Sequence, residues 1–329
     1  MKKIIFCIST VLAALFVLSA CNEEDFSAKE FYEYIVYLMS RETRNYQNIY
    51  NVSHPYNDRV ETLGYISVGC SGSQANPTAI TVELELDETP FEEYNNLIDS
   101  EDKARLLPED RYFIPSLEAV LPANSVNPYA KLPVWVMVDG LSPDTMYVIP
   151  LAIKSVSGGY QANPEKSTVL YRIVMDNYYA DQVVSSFYAS KGFNLDATTL
   201  QPVTGFTRSK VLKPLAKYTI RMFAGVEKPE KPETFTLEEL EKSAITVTVN
   251  QTDNTVEFAP YGSIEVEKIE SEEDWNIYYE MRNNMFDDSV TKFFYLRYRY
   301  RTVRTPATET QPAVYNAWNY VQETLRRAE

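Results

Sequence analysis

The sequence predicts an all-β protein built from two successive β domains. Three observations support this prediction. Apolar and polar residues alternate with a period of two in many short segments, which is the pattern of half-buried strands. The chain has 25 Tyr and only 10 Gly among 329 residues, and Tyr favours strands. Leu141 lies six residues before Tyr147, the spacing of the tyrosine corner in immunoglobulin-like sandwiches.

The first 20 residues have the organisation of a secretory signal peptide. Lys2 and Lys3 precede an apolar run from Ile4 to Leu18, and this run is shorter than the ~20 residues that a spanning helix needs. The segment Leu18–Cys21 resembles the bacterial lipobox. That resemblance implies cleavage before Cys21 and attachment of a diacylglycerol to its sulfur. The alternative is an ordinary signal peptide that a cysteine follows by chance.

Residues 21–30 are predicted to form a short tether. Asn22, Glu23, Glu24 and Asp25 directly follow the lipobox cysteine. Acids at this place resemble the surface-export signal of Bacteroidetes lipoproteins. We therefore expect a lipid-anchored protein of the outer membrane, displayed at the cell surface. The periplasmic face of the membrane is the alternative location.

Composition excludes several classes of function. The formal net charge is −15, and removal of Lys2 and Lys3 makes the chain still more acidic, so nucleic-acid binding is not expected. His54 is the only histidine in the sequence, which argues against a catalytic triad and against zinc. We expect His54 to be a surface residue without a function and Cys70 to be a small packing residue at the end of a strand. No metal site and no cofactor are predicted; a calcium loop at 176–182 or 283–290, where acids occur without the full loop pattern, is the alternative.

The N-terminal domain is predicted over residues 31–176. The clearest strand is "TAITVELELDE" (78–88), in which Ile80, Val82, Leu84 and Leu86 alternate with polar residues. Residues 41–62 are predicted to be irregular, and residues 90–106 helical or irregular. The other predicted strands lie within 31–40, 64–72, 111–114, 132–138, 147–155 and 167–175.

The C-terminal domain is predicted over residues 177–329 as a barrel or a sandwich. Thr236 and Glu239 form a capping box at the start of a short helix. The last segment, 313–329, is interpreted as a strand or turn followed by a fraying helix. The predicted strands lie at 185–191, 205–212, 216–224, 244–250, 254–260, 263–269, 275–281 and 293–301.

Two segments resemble a known family. The first is "LPEDRYFIP" (107–115) and the second is "LPVWVMVDGLSPDTMYVIPLAI" (132–153). They are similar to Bacteroidetes surface lipoproteins with an N-terminal immunoglobulin-like domain of unknown function, which also precedes some family 18 endoglycosidases. The resemblance covers about residues 27–176, and the second half resembles the β domain that accompanies it. It implies a place in polysaccharide-utilisation systems beside outer-membrane importers, and it transfers no site residue.

Aromatic side chains among Asn, Asp and Arg are typical of sugar-binding sites, because sugar rings stack on aromatic faces. Trp318 is the first candidate, since it lies in the polar stretch "AVYNAWNY". Trp135, between two valines in a strong strand, is expected to pack, either in the core or in a ladder of side chains on a strand face, rather than to bind a ligand. The complete set of predicted ligand-binding residues is Trp318, Tyr315, Asn319, Tyr320, Trp275 and Tyr278.

These observations predict a non-catalytic, lipid-anchored surface protein that binds oligo- or polysaccharides for a polysaccharide-utilisation system. The acid run expected of a family 18 glycosidase is absent from the sequence, and no segment remains for its parallel barrel. An adhesion or structural lipoprotein that binds a protein partner is the first alternative. A hydrolase with paired carboxylates is the second.

Overall fold

The computed structural model describes residues 33–40, 48–98, 103–183, 186–227, 236–270, 275–277 and 281–327. These residues form an all-β protein, as the sequence predicts, with only two short α-helices. Each half consists of two sheets that pack against each other around a hydrophobic cluster. Within these residues, no helix is both long and apolar enough to cross a membrane. Cys21 and Tyr278 lie outside the described residues.

The N-terminal half packs a five-stranded sheet on a six-stranded sheet. The five-stranded sheet has the order β10-β1-β3-β8-β6. Its strands are β1 (Ile35–Leu38), β3 (Thr62–Cys70), β6 (Tyr112–Phe113), β8 (Tyr129–Val136) and β10 (Gln161–Ala162). Side chains alternate strictly between the two faces of β8: Leu132, Val134 and Val136 point inward and are buried.

The six-stranded sheet has the order β2-β11-β9-β4-β7, with β5 paired to β9. Helix α1 (Thr89–Leu97) packs on it, with Pro90 in its first turn. The strands are β2 (Ile49–Pro55), β4 (Ile80–Leu86), β5 (Arg105–Leu106), β7 (Glu118–Leu121), β9 (Tyr147–Val156) and β11 (Thr168–Asp176).

The prediction that residues 41–62 are irregular is wrong for residues 49–55, whereas residues 56–61 are irregular as predicted. Ile49–Pro55 forms strand β2, which pairs in parallel with β11 along its whole length. Asn51 and Pro55 are poor strand formers that interrupt the favourable Ile49, Tyr50 and Val52, so local sequence does not reveal this strand. The pairing with β11 decides its conformation, because both strands then bury one face against the other sheet.

The prediction that His54 is a surface residue is also wrong, because His54 is fully buried. Thr62 Oγ1 donates to Val136 O and therefore accepts from His54 Nδ1, at 2.8 Å. The other nitrogen, Nε2, then accepts from the Tyr171 hydroxyl at 2.9 Å. Gly64 makes room for this group, since a Cβ there would lie 2.1 Å from the Tyr171 oxygen. Burial lowers the pKa of His54 from 6.5 to about 4.

The C-terminal half packs a six-stranded sheet on a four-stranded sheet, so it is a sandwich rather than a closed barrel. The larger sheet has the order β13-β12-β23-β20-β18, with β19 paired to β20. Its strands are β12 (Phe187–Leu195), β13 (Pro202–Val211), β18 (Glu265–Lys268), β19 (Met285–Asp287), β20 (Phe293–Arg301) and β23 (Asn319–Arg327).

The smaller sheet has the order β14-β15-β16-β17. Helix α2 (Leu237–Ser243) precedes β16 and begins with the predicted capping box, in which Thr236 Oγ1 accepts from the backbone NH of Glu239. Strands β21 (Val303–Thr305) and β22 (Val314–Tyr315) form a separate hairpin. The four strands of the smaller sheet are β14 (Lys213–Ala216), β15 (Thr219–Phe223), β16 (Ala244–Val249) and β17 (Val256–Pro260).

Two predictions for the C-terminal half are wrong. Residues Asn319–Arg327 do not form a fraying helix but strand β23, which pairs with β12 and β20 on its two sides. "YVQETLRR" contains good helix formers, and pairing on both edges overrides that preference. The strand predicted at 275–281 is also not found in its described part, where Trp275 makes only an isolated bridge to Arg282.

The core of the C-terminal half contains a charged group. The Glu323 carboxylate is buried and accepts from the Lys210 ammonium at 2.7 Å, from the Tyr298 hydroxyl at 2.6 Å and from Ser190 Oγ at 2.8 Å. Burial lowers the pKa of Lys210, an effect that the Glu323 carboxylate opposes. Every partner of the carboxylate donates a hydrogen bond, which is the condition under which a charge can remain buried.

Polar contacts join the two halves directly. Arg221 on β15 makes a bidentate ion pair with Asp144, in the turn before β9. Both side chains are largely buried, with 3% and 13% of their surfaces exposed. Gln182 Nε2 also donates to Thr145 O at 2.8 Å. These contacts fix the orientation of the smaller C-terminal sheet against the N-terminal sandwich.

Candidate functional site

Three of the predicted aromatic residues, Tyr315, Trp318 and Tyr320, lie together on the outer face of the larger C-terminal sheet. Strand β20 buries Tyr298 and Tyr300 and points the intervening Arg299 and Arg301 outward. Tyr320 of β23 lies directly opposite Arg299. Tyr315 ends the hairpin strand β22, and Trp318 directly precedes β23.

The two arginines alternate with the three aromatic rings, and we call this group the arginine ladder (Tyr315, Arg301, Trp318, Arg299, Tyr320). The Arg301 Cζ lies 4.7 Å from the Tyr315 ring centre and 4.6 Å from that of Trp318. The Arg299 Cζ lies 4.5 Å from the Trp318 ring centre and 5.9 Å from that of Tyr320. Each distance falls within the ~6 Å range of a cation–π contact.

Carboxylates on the neighbouring strand hold the arginines in place. In β18, Glu265 lies opposite Arg301 and Glu267 opposite Arg299. Glu265 Oε2 accepts from Arg301 Nε at 2.6 Å, and Glu267 Oε2 accepts from Arg299 Nε at 2.8 Å. Arg299 Nη1 also donates to the Tyr320 hydroxyl at 3.2 Å. The ladder is therefore a fully connected, partly exposed network.

This arrangement limits what Trp318 can do. Its indole contacts two guanidinium groups, and a sugar that stacked on the ring would have to displace one of them from its carboxylate. The sequence correctly predicted that these aromatic residues lie together. It did not predict that Arg299 and Arg301 cover their ring faces. Asn319 is exposed at the start of β23. Sugar binding by these residues stays a prediction, for which the ladder offers little free ring surface.

Trp275, the other predicted tryptophan with a described position, is 57% exposed. Its neighbour Asn276 is buried and donates to Thr324 Oγ1 at 3.1 Å. Thr324 is four residues from Tyr320 along β23, which corresponds to about 13 Å. Trp275 thus lies near the same outer sheet face, at a distance from the ladder.

The predicted tyrosine corner lies at the start of β9. Leu141 is buried, Tyr147 is the first residue of the strand, and both pack in or against the N-terminal core. The hydrogen bond from the Tyr147 hydroxyl to the backbone stays a prediction. Cys70 is buried at the end of β3, as expected, and burial raises the pKa of its thiol to about 11. A thiol in this state is not a nucleophile.

A second aromatic surface lies on the outer face of the five-stranded N-terminal sheet. Residues directly opposite each other in a pair of strands share a face. The register places Leu63 opposite Trp135, Tyr65 opposite Pro133, and Phe113 opposite Trp135 on its other side. Because Val134 and Val136 point into the core, Trp135 points away from it. We call this surface the aromatic face (Tyr37, Leu63, Tyr65, Phe113, Tyr129, Trp135).

Three rings of the aromatic face are exposed, and those of Tyr37 and Trp135 are half-buried. Phe113 and Tyr129 are each 62% exposed and Tyr65 is 40% exposed. The Tyr37 ring lies on the backbone of Gly69, where a Cβ would approach its Cζ to 2.8 Å. Lys131 Nζ lies 5.6 Å from the Tyr65 ring centre. Exposed apolar surface that is contiguous over several strands marks an interaction site.

Trp135 does not pack in the core; it is half-buried between Leu63 and Phe113 in a ladder on the strand face, the other packing position predicted for it. Strict alternation along "KLPVWVMV" puts Trp135 on the face opposite its two valine neighbours. The same argument points Tyr65 away from Ile66. The exposure of these residues could not be predicted, because only the tertiary structure shows what covers a sheet face.

The described residues contain no group of three or more His, Cys, Asp or Glu side chains placed to hold a metal ion.

Two family models match the chain: an N-terminal domain over residues 31–159 and a C-terminal domain over residues 167–326. The chain belongs to this two-domain family. The match agrees with the resemblance found in the sequence. No curated protein matches the chain significantly.

Solved structures share the fold of this family member. A Bacteroides ovatus protein of unknown function is 13% identical, with 88% of this chain and 94% of that chain covered at a TM-score of 0.56. A B. ovatus multidomain protein including DUF1735 is 13% identical, with 88% and 93% covered at 0.55. An auxiliary nutrient binding protein from Bacteroides thetaiotaomicron is 14% identical, with 87% and 92% covered at 0.53.

The first of these neighbours is described as a protein of unknown function and the third as an auxiliary nutrient binding protein. An endoglycosidase from B. thetaiotaomicron also matches, but over only 42% of this chain and at a TM-score of 0.32.

Proposed function

We propose that this protein is a non-catalytic, lipid-anchored protein of the cell surface that binds oligo- or polysaccharides as an accessory of a polysaccharide-utilisation system. The observation that carries the proposal is the aromatic face. Its exposed rings lie across neighbouring strands of one sheet, so several can contact one ligand at the same time. Rings held by a rigid sheet lose little entropy on binding.

The chemistry of the aromatic face suits sugars. The apolar C–H faces of pyranose rings stack on aromatic rings, and the hydroxyls of Tyr37, Tyr65 and Tyr129 can exchange hydrogen bonds with sugar hydroxyls. The neighbour described as an auxiliary nutrient binding protein supports a capture role within the same fold. In this role the anchored protein would raise the local concentration of glycan for neighbouring enzymes and an importer.

The binding test uses the chain without residues 1–20, run through native gels that contain different polysaccharides. We expect at least one polysaccharide to retard the protein and Trp135→Ala to abolish the retardation. Val203→Ala is the matched control, because Val203 is an exposed apolar residue on a strand of the other half. Capture of a protein partner without retardation by any glycan would instead support an adhesion or structural role.

The anchor is tested separately in cells. Cys21→Ala should abolish labelling with radioactive palmitate and release the protein from the outer membrane. Replacement of Glu23, Glu24 and Asp25 by Ala should keep the label and remove the protein from the reach of an external protease. Unchanged labelling of Cys21→Ala would exclude the lipobox.

A further inference from the structure

The aromatic face also restricts the class of glycan that it can hold. We propose that it binds the interior of an extended, uncharged polysaccharide chain, rather than a chain end or an acidic polymer. This inference rests on the proposed function and makes it more specific. It follows from the length of the surface, its openness and its lack of charge.

The first argument is length. Tyr129 and Trp135 are both outward residues of β8, six positions apart, and this spacing corresponds to about 20 Å of strand. Phe113 on β6 and Leu63 on β3 flank Trp135 at one end. At the other end Gly69, which carries the Tyr37 ring, lies opposite Tyr129. A single sugar covers only a fraction of this surface, so full contact requires several linked rings.

The second argument is openness. A site for a chain end or a single sugar is concave and buries most of the surface of its ligand. Here the rings lie on a sheet, and Phe113 and Tyr129 at its two ends are each 62% exposed. A chain that lies along β8 can therefore continue past both ends of the surface.

The third argument is charge. Within the described strands of this sheet, Lys131 is the one charged side chain that points outward, and it lies beside the Tyr65 ring. The chain as a whole has a formal net charge of −15. Recognition of carboxylated or sulfated polymers would need several cationic side chains to offset this charge, and the aromatic face supplies one.

The experiment compares neutral and acidic polymers on the chain without residues 1–20. Affinity gels contain xylan, mannan, mixed-linkage β-glucan or amylose as neutral probes, and polygalacturonate or heparin as acidic probes. We expect retardation by at least one neutral polymer that persists in 0.5 M salt. Trp135→Ala should abolish it and Phe113→Ala should weaken it about tenfold, whereas Val203→Ala should leave it unchanged.

Oligosaccharides of the retarding polymer then test chain length by calorimetry. The affinity should rise steeply from the disaccharide to the hexasaccharide and should not change when the reducing end is converted to an alditol. Binding of a monosaccharide as tight as that of the hexamer, a preference for an acidic polymer, or full binding by Trp135→Ala would overturn this inference and leave glycan capture standing. Failure of every polymer to bind would overturn the proposed function as well.

Discussion

The two halves of the molecule both place aromatic residues on the outside of a sheet, and they differ in what lies against the rings. On the N-terminal sheet three rings of the aromatic face are exposed, and Lys131 is the one outward charge within the described strands of that sheet. On the C-terminal sheet the arginine ladder places two guanidiniums against the rings, each held by a glutamate. Aromatic composition alone does not identify a binding surface, because the free face of a ring is what binds.

The buried polar groups in the two cores also differ in charge. The N-terminal core contains a neutral histidine between two hydroxyls, whereas the C-terminal core contains a Lys–Glu pair. A neutral buried group resists protonation, and a buried ion pair resists the removal of either partner. The two halves should therefore respond to different perturbations.

The largest effect is expected from Lys210→Met, which leaves the Glu323 carboxylate buried without its cation. Removal of one partner of a buried pair costs about 3–5 kcal/mol. We expect the free energy of unfolding in urea to fall by this amount, with the loss confined to the C-terminal half in hydrogen exchange.

The double variant Lys210→Met/Glu323→Gln is the control for Lys210→Met. It removes both charges, so a large part of the lost stability should return. If the double variant were less stable than Lys210→Met, packing at Lys210 rather than charge burial would explain the first result.

A smaller loss of stability is expected for tryptophan variants, which compare the arginine ladder with the aromatic face directly. Trp318→Ala removes contacts to two arginines and should cost about 2 kcal/mol of stability while glycan binding stays within twofold. Trp135→Ala should cost less than about 1 kcal/mol and abolish binding. Urea unfolding and affinity gels on both variants measure this contrast. If Trp318→Ala lost glycan binding at unchanged stability, the arginine ladder rather than the aromatic face would be the binding surface.

The smallest effect is the pH dependence that His54 imposes on the N-terminal half. The unfolded chain takes up a proton near pH 6.5, and the folded chain resists protonation of His54 down to about pH 4. Stability is therefore complete above pH 6.5 and is lost as the pH falls toward 4. Between pH 7.5 and 5.5 the loss should be about 1.3 kcal/mol.

Urea titrations at these two pH values measure this loss, and His54→Gln should remove it. No other histidine titrates in this window, because His54 is the only one in the sequence. Burial also raises the pKa of Asp176, which acts in the opposite direction, since the folded state then binds the proton more tightly. If the free energy of unfolding of His54→Gln still fell between pH 7.5 and 5.5, carboxylates rather than His54 would explain the pH dependence.

Several features of the fold could be predicted because they depend on neighbours in the sequence. Alternation identified β4 and the strand "FFYLRYRYR", which is β20 residue for residue. The Thr236 capping box predicted the start of α2. Strand β23 was missed because its residues prefer a helix in isolation, and β2 was missed because Asn51 and Pro55 interrupt its strand-forming residues. Both strands exist because partners distant in the sequence pair with them.

By itself the sequence determined the all-β class and the two-domain family, since these follow from a period of two and from short motifs. Only the tertiary structure decided which aromatic rings are free. Whether a ring is covered or exposed depends on strands that are far apart in the chain, such as β18 and β20 at the arginine ladder. For the same reason, only the structure showed that His54 is buried, because its partners Thr62 and Tyr171 lie on two other strands.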